Sequence, residues 1–382
     1  MGARGLTLFL LAGEASGDAL GAALMDGVEA LAPGARVVGV GGPLMAARGL
    51  RSLFPMEELS VMGLAEILPR YPALRRRMLQ TTRAVLDTAP DALVTIDAPA
   101  FGLSVVRRVR AARPDARLIH YVAPSVWAWR PGRARTLRGQ VDLVLALLPF
   151  EPPYLEAEGV PCRFVGHPIA TRPPPEPVAG RAFRAAHGLD GPVVCVLPGS
   201  RRSEVGRLAP VFGEALAVLA RHRPGLRAVV PAAPAVAALL PEVVAGWPGR
   251  PVIVAPGDDA AKAGAFAASD AAIAASGTVS LELAHAGVPM VIAYDVHPLT
   301  RLLLARMLRT DTVTLVNLVS GTRAVPEFLG RACRPGPIAD AALALLKDAS
   351  AQRAAFAATM ERLGAGGEPP GLRAARAVLD AL

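Results

Sequence analysis

Ser276, Gly277 and Thr278 open the stretch 276–289, S-G-T-V-S-L-E-L-A-H-A-G-V-P, and supply the kinds of group that hold an anion. The pattern predicts a strand over 271–275, a small-residue turn, a short helix and a strand over 290–294. N–H groups at a helix start lack partners inside the helix, and the dipole is positive there. Gly277 lets an anion approach the backbone, and the two hydroxyls add donors. Glu282 lies one turn further, on the face of Thr278, where a carboxylate can accept both hydroxyls of a ribose. Taken alone, the same residues would serve as an ordinary helix cap.

A second turn, Pro198-Gly199-Ser200-Arg201, follows the apolar run 193–197. A guanidinium placed there can hold two phosphate oxygens in a fork. In the first half, A-G-E-A-S-G-D places Gly13, Glu14, Ser16 and Asp18 after the apolar run 6–12. Asp97 ends the run 93–96, with Pro99 keeping the following turn out of a helix. Asp97 can be a general base or the cap of the next helix. Glu14 and Asp18 are the other carboxylates of that region. His120 and His167 are also titratable, but His120 lies within an apolar strand, where a core role is the commoner one. No D-x-D occurs in the setting of a metal-dependent transferase, and Asp258-Asp259 belong to a Gly-Asp loop that suits a helix start. The expectation is therefore no metal and no cofactor.

These residues need a frame that brings strand ends together. The first half alternates apolar runs at 6–12, 36–40, 93–96, 118–122 and 141–147 with helical stretches. The second half repeats the alternation at 193–197, 228–230, 252–254, 271–275 and 290–293. Short continuous apolar runs between helices imply parallel strands covered on both faces. Ligands of such sheets bind at the carboxyl ends of the strands, where every candidate above lies. Between the halves, residues 166–180 hold five prolines in fifteen positions and mark a boundary. From about 337 the chain reads as helical. The expected architecture is α/β, with two doubly wound Rossmann-like domains (1–168 and 181–336) facing each other across a cleft, and a helical tail (337–382). Gly39-Val40-Gly41 lacks the third glycine of a dinucleotide fingerprint, which disfavours a dehydrogenase.

Composition narrows the partners. The 382 residues suit two domains. The net charge of +9 suits nucleic acid, an anionic membrane or phosphorylated substrates, and an aromatic fraction of 4% argues against base-stacking and so against nucleic acid. Cys162, Cys195 and Cys333 lack ligand spacing, which fits a reducing cytosol. Arg4 and the run 6–12 imitate a short signal peptide, but a buried first strand fits better. No run of 18 apolar residues spans a membrane. Residues 59–83 stand apart. Val61, Met62, Leu64, Ile67, Leu68, Leu74 and Met78 are interrupted by Gly63, Pro69 and Pro72, with Arg70, Arg75, Arg76, Arg77 and Arg83 alongside. This is either a core helix with a basic outer face or a membrane-contact patch.

The motifs together resemble a family. A-G-E-A-S-G-D (12–18), S-V-M-G-L (60–64), I-D-A-P-A-F (96–101), P-S-V-W-A-W-R (124–130), L-P-F-E (148–151), V-G-H-P (165–168), L-P-G-S-R-x-x-E (197–204), the 276–282 stretch and P-E-F-L (326–329) resemble lipid A disaccharide synthase, a GT-B glycosyltransferase of Gram-negative bacteria. Ala123 and Gly330 depart from it, standing where Ser and Gln are usual. The resemblance implies an inverting transfer from UDP-2,3-diacylglucosamine to 2,3-diacylglucosamine 1-phosphate, giving a β-1′,6 disaccharide 1-phosphate and UDP. It implies Asp97 as base, with Gly13, Glu14, Ser16 and Asp18 on the acceptor side. Ser200, Arg201, Ser276, Gly277, Thr278, Glu282 and Asn317 would be on the donor side. It also implies peripheral attachment to the anionic cytoplasmic face of the inner membrane, and is compatible with a homodimer. The alternatives are another GT-B UDP-N-acetylglucosamine-dependent transferase, a UDP-sugar 2-epimerase, or a non-catalytic UDP-sugar-binding module.

Overall fold

The computed structural model describes residues 5–59, 64–125, 132–296 and 310–382, without the side chains of 64–69 and 133. The chain forms two units. One comprises the residues up to Thr171 together with Leu363–Leu382, and the other is Arg172–Arg362.

The first unit is a six-stranded parallel sheet in the order β2-β1-β3-β4-β5-β6. The strands are β1 (Thr7–Ala12), β2 (Arg36–Val40), β3 (Ala92–Ile96), β4 (Leu118–Tyr121), β5 (Leu143–Ala146) and β6 (Cys162–Phe164). Helices α1 (Ala15–Leu31), α2 (Pro43–Ala46), α3 (Leu64–Thr88), α4 (Pro99–Ala112), α5 (Gly132–Arg135) and α6 (Glu151–Glu156) connect them. The central strands are almost wholly buried, as their apolar runs require. Register pairs Ala12 with Ile96 and Ile96 with Tyr121, so the ends of β1, β3 and β4 stand in one row.

The second unit repeats the plan in the order β12-β11-β10-β7-β8-β9, again parallel. Its strands are β7 (Val193–Leu197), β8 (Arg227–Pro231), β9 (Val252–Val254), β10 (Ala271–Ala274), β11 (Met290–Tyr294) and β12 (Glu327–Leu329). Among its helices are α7 (Pro177–His187), α8 (Arg202–His222), α9 (Leu240–Val244), α10 (Asp259–Ala268) and α11 (Val279–His285). Leu208, Phe212 and Leu216 of α8 are fully buried in this unit's core.

Three expectations change here. Two edge strands, β6 and β12, join the expected ones. The segment 337–382 is helical but is not a tail of its own. Pro335–Lys347 and Ser350–Arg362 belong to the second unit, whereas Pro370–Asp380 returns to the first and packs on α1. That return is fixed by close approach: a Cβ at Gly27 would lie 2.5 Å from the Gly371 carbonyl oxygen. Finally, α3 runs through Pro69 and Pro72 without a break. Leu74 and Met78 pack against the first unit's core, so these two are removed from the membrane-contact set. Val61 and Met62, and the side chains of Leu64, Ile67 and Leu68, lie outside what is described. Arg70, Arg75 and Arg76 are exposed, alongside Tyr71 and Leu79 at 58% and 45% exposure.

Candidate active site

In each sheet the strand order turns back at one place, between β1 and β3 and between β7 and β10. Connections leave in opposite directions there and open a crevice beyond the strand ends. The candidate residues fall at these two crevices.

In the second unit, a cavity of about 580 Å³ lies at the ends of β7, β8, β9 and β10. Ser200, Arg201, Ser276, Gly277, Thr278 and Glu282 all line it. Gly277 has φ +155°, and a Cβ there would meet nothing, so the backbone is open to a ligand. α11 is only seven residues long and contributes little dipole by itself. The 21-residue α8 is the stronger source, and Arg201 is its N-cap. Glu204 shapes this turn. Its Oε2 accepts the Ser200 and Arg201 backbone N–H groups at 3.0 and 3.3 Å. Its Oε1 accepts Arg201 Nη1 at 2.9 Å and the Tyr294 hydroxyl at 3.2 Å. Burial and this carboxylate push the Tyr294 phenol upward, so it stays a donor. Gly199 is required beneath, since a Cβ there would approach Glu204 to 2.6 Å.

Lys262 and Glu282 meet inside the cavity at 2.5 Å, both partly exposed. Lys262 also stands 5.5 Å over the Phe266 ring. The sequence reading gave Lys262 no role. Its signal was rarity, because Lys262 and Lys347 are the chain's lysines among 41 basic residues. The loops 231–234 and 254–257 were likewise missed; their prolines, alanines and valine form the wall opposite Ser276. Asp258 caps α10 by accepting the Ala261 N–H at 2.8 Å, as its loop suggested. Asn317 does not belong with these residues. It is fully buried, donates to Thr312 Oγ1 and the Val325 carbonyl, and accepts the Val325 N–H. Both polar atoms of its amide are used to tie Thr312 and Val325 together, which removes it from the donor-binding set.

In the first unit, Asp97 lies just beyond β3 and Ser16 in the first turn of α1. Ser16 Oγ donates to Asp97 Oδ2 at 2.8 Å, and Asp97 Oδ1 accepts the Ala98 N–H at 2.9 Å. Asp97 and Ala98 both take left-handed backbone conformations, with φ +53° and +41°, and Val122 beside them has φ +83°. Left-handed residues other than glycine cost about 1–3 kcal/mol each, and a β-branched one is a clear outlier. The strain is thus concentrated at the ends of β3 and β4. Gly13 permits it, because a Cβ there would come within 2.8 Å of Ala98 Cβ. Glu14 sits close by, and burial, aided by the Asp97 charge, raises its carboxyl above the ordinary value. Asp18 is different. It is buried at 2% exposure and accepts the N–H groups of Gly42, Leu44 and Met45 at 2.8–3.0 Å. That carboxylate anchors α2 and is satisfied there, so Asp18 leaves both the acceptor set and the list of candidate bases. His120 is in the core as expected. It shares a 2.8 Å hydrogen bond with Thr95, and burial lowers its pKa to about 4, leaving it neutral.

Comparison with known proteins agrees with this fold. The family model for lipid-A-disaccharide synthetase matches residues 8–368. The lipid-A-disaccharide synthase of Ruegeria pomeroyi is 56% identical over 384 residues, covering 99% of this chain and 96% of the relative. Among solved structures, a putative UDP-N-acetylglucosamine 2-epimerase from Listeria monocytogenes superposes with a TM-score of 0.64 at 16% identity, covering 99% and 96% of the two chains. MurG of Acinetobacter baumannii does so with a TM-score of 0.57 at 13% identity, covering 99% and 100%. At such identities the likeness to these two is one of fold.

Proposed function

The chain belongs to the lipid-A-disaccharide synthetase family and has a two-domain GT-B fold, and on that premise we propose how its two crevices divide one glycosyl transfer. The activity is that of a glycosyltransferase in lipid A disaccharide synthesis, using a UDP-sugar and a lipid-linked acceptor. In our reading the donor is UDP-2,3-diacylglucosamine and the acceptor 2,3-diacylglucosamine 1-phosphate. The donor's diphosphate occupies the second unit's cavity, against Arg201, Ser200 and the 276–278 turn. Glu282, presented by Lys262, accepts the ribose hydroxyls.

Asp97 is the base. The acceptor's 6-hydroxyl oxygen attacks the donor's anomeric carbon as Asp97 takes its proton. The bond from that carbon to the diphosphate oxygen breaks, and its electron pair leaves with UDP. One displacement inverts the configuration. Arg201 and the positive end of the α8 dipole stabilise the charge developing on the leaving group. Gly13, Glu14 and Ser16 flank the acceptor, with Ser16 fixing the Asp97 carboxylate.

The observation that carries this reading is the strained Asp97 turn. A capping aspartate needs no left-handed pair, whereas strain held by surrounding packing is characteristic of working sites. Asp97→Asn tests it. Asn tolerates the left-handed region, its Oδ1 can accept the Ala98 N–H and its Nδ2 can donate to Ser16 Oγ, but it cannot take the proton. Turnover should fall by about 10²–10⁴-fold with UDP affinity unchanged. Near-normal turnover would reject Asp97 as the base.

We also infer that the enzyme docks peripherally on the cytoplasmic face of the inner membrane. Among the described residues no helix is long and apolar enough to cross a bilayer. The exposed Arg70, Tyr71, Arg75, Arg76 and Leu79 of α3 mix cationic and apolar groups, which suits an anionic interface.

A further inference from the structure

Ser16, Leu20, Ala23, Gly27 and Ala30 recur at steps of four and three along α1, which puts them on one face of the helix. Ser16 holds Asp97. The other four line a separate cavity of about 310 Å³. From Leu20 to Ala30 the helix rises about 15 Å, and residues along that length border the cavity.

Its second wall is the start of the C-terminal helix, Pro370 and Leu372, and its floor is Tyr121 of β4. Tyr121 is fully buried, and its hydroxyl has no hydrogen-bond partner among the described residues. Buried hydroxyls are normally paired, so this one suits an acceptor atom brought by a ligand. The tyrosine adjoins the base directly, since the Asp97 N–H donates to the Tyr121 carbonyl at 2.9 Å. Of the remaining polar lining, the Asp26 carboxylate is already taken at both oxygens by Arg48, at 2.6 and 2.8 Å, and the Thr171 hydroxyl donates to the Pro168 carbonyl at 3.1 Å. A sugar or nucleotide would find almost no partners here. A mostly apolar cavity with a buried, unpaired hydroxyl fits a hydrocarbon chain that carries a carbonyl.

We propose that this cavity binds an acyl chain of the lipid-linked acceptor, with the Tyr121 hydroxyl donating to an acyl carbonyl. The proposal rests on the reading that Asp97 marks the acceptor side. It gives the first unit a measuring device for chain length, with Ala30 the lining residue farthest along α1 from Ser16.

The test uses acceptors of graded acyl length in detergent micelles, with the full-length enzyme. Ala30→Trp should raise the KM ratio of long-chain to short-chain acceptors, by about fourfold for each methylene it excludes. Tyr121→Phe should raise KM for acylated acceptors roughly 2- to 12-fold through loss of one hydrogen bond, and leave KM for unacylated glucosamine 1-phosphate as it was. An Ala30→Trp KM change equal at every chain length, or a Tyr121→Phe change that is absent or the same for the unacylated acceptor, would overturn the proposal. If Ala30→Trp fails to fold, as judged by circular dichroism, the isosteric Tyr121→Phe decides. Asp97→Asn is measured in parallel. Its normal turnover would refute the base assignment, while the chain-length ratio of Ala30→Trp would still judge the cavity.

Discussion

Replacing Arg201 by alanine should weaken UDP binding selectively, and the structure sets the size of the loss. Arg201 is 65% exposed on its side chain and is held by Glu204 in an i,i+3 pair. Such a pair contributes about 0–1 kcal/mol to stability, so the fold should tolerate the change. The turn itself depends on Glu204 accepting two backbone N–H groups, which alanine at 201 leaves intact. What disappears is a guanidinium bordering the cavity. One charge-assisted hydrogen bond to phosphate contributes about 1.5–3 kcal/mol, or roughly 10- to 150-fold in affinity. A forked contact would place the loss at the upper end. Arg202, the next residue, is exposed but does not line the cavity, so Arg202→Ala should change UDP affinity less than about twofold, in keeping with the small worth of exposed charges. Isothermal titration of UDP into both variants measures this, with thermal unfolding as the control. Equal small effects from the two substitutions would refute the assignment of Arg201 to the diphosphate.

Other outcomes follow from the same geometry. Asn317→Ala should leave buried groups of Val325 and Thr312 without partners, at about 1–3 kcal/mol for each orphaned group; a lower melting temperature with UDP affinity preserved is expected, and the reverse pattern would restore Asn317 to the donor site. Glu14 has a raised carboxyl pKa in the folded protein, so the native state holds the extra proton and stability is lost as pH rises from 4.5 through the raised value. Glu14→Gln should flatten that fall in a melting series, and parallel curves would contradict it. Changing Arg70, Arg75 and Arg76 together to alanine should weaken binding to anionic vesicles by about 3 kcal/mol, roughly 100-fold, at about 1 kcal/mol per residue. Unchanged partitioning in a sedimentation assay would remove α3 as a membrane surface.

The sheets were legible because their strands are buried on both faces and read as unbroken apolar runs. β6 and β12 were not, since each is a three-residue edge strand with no fully buried residue, and β6 runs close to the proline-rich boundary. The turns at Gly13, Gly199 and Gly277 could be placed from glycine and strand-end position. Which carboxylates there face outward could not. Asp18 and Asp97 look alike in sequence, yet one is surrounded by three amides and the other is strained and bonded to Ser16. Asn317 sits in a family motif but bonds chain eight residues away, a contact without a local signature. Lys262 and Glu282 lie 20 positions apart, on α10 and α11, and meet in the cavity that both line. Leu74 and Met78 form an apolar helix face, and periodicity alone does not say whether protein or lipid covers it. The return of Pro370–Asp380 to α1 is the least local feature, fixed by backbone contact between two glycines far apart in the chain.

The most direct test of the account is UDP release from UDP-2,3-diacylglucosamine, followed with and without 2,3-diacylglucosamine 1-phosphate. A transferase in which Asp97 activates the acceptor hydroxyl should release UDP only when acceptor is present, one UDP for each disaccharide 1-phosphate formed. UDP release at the same rate without acceptor, or conversion of the UDP-sugar to its 2-epimer, would contradict it.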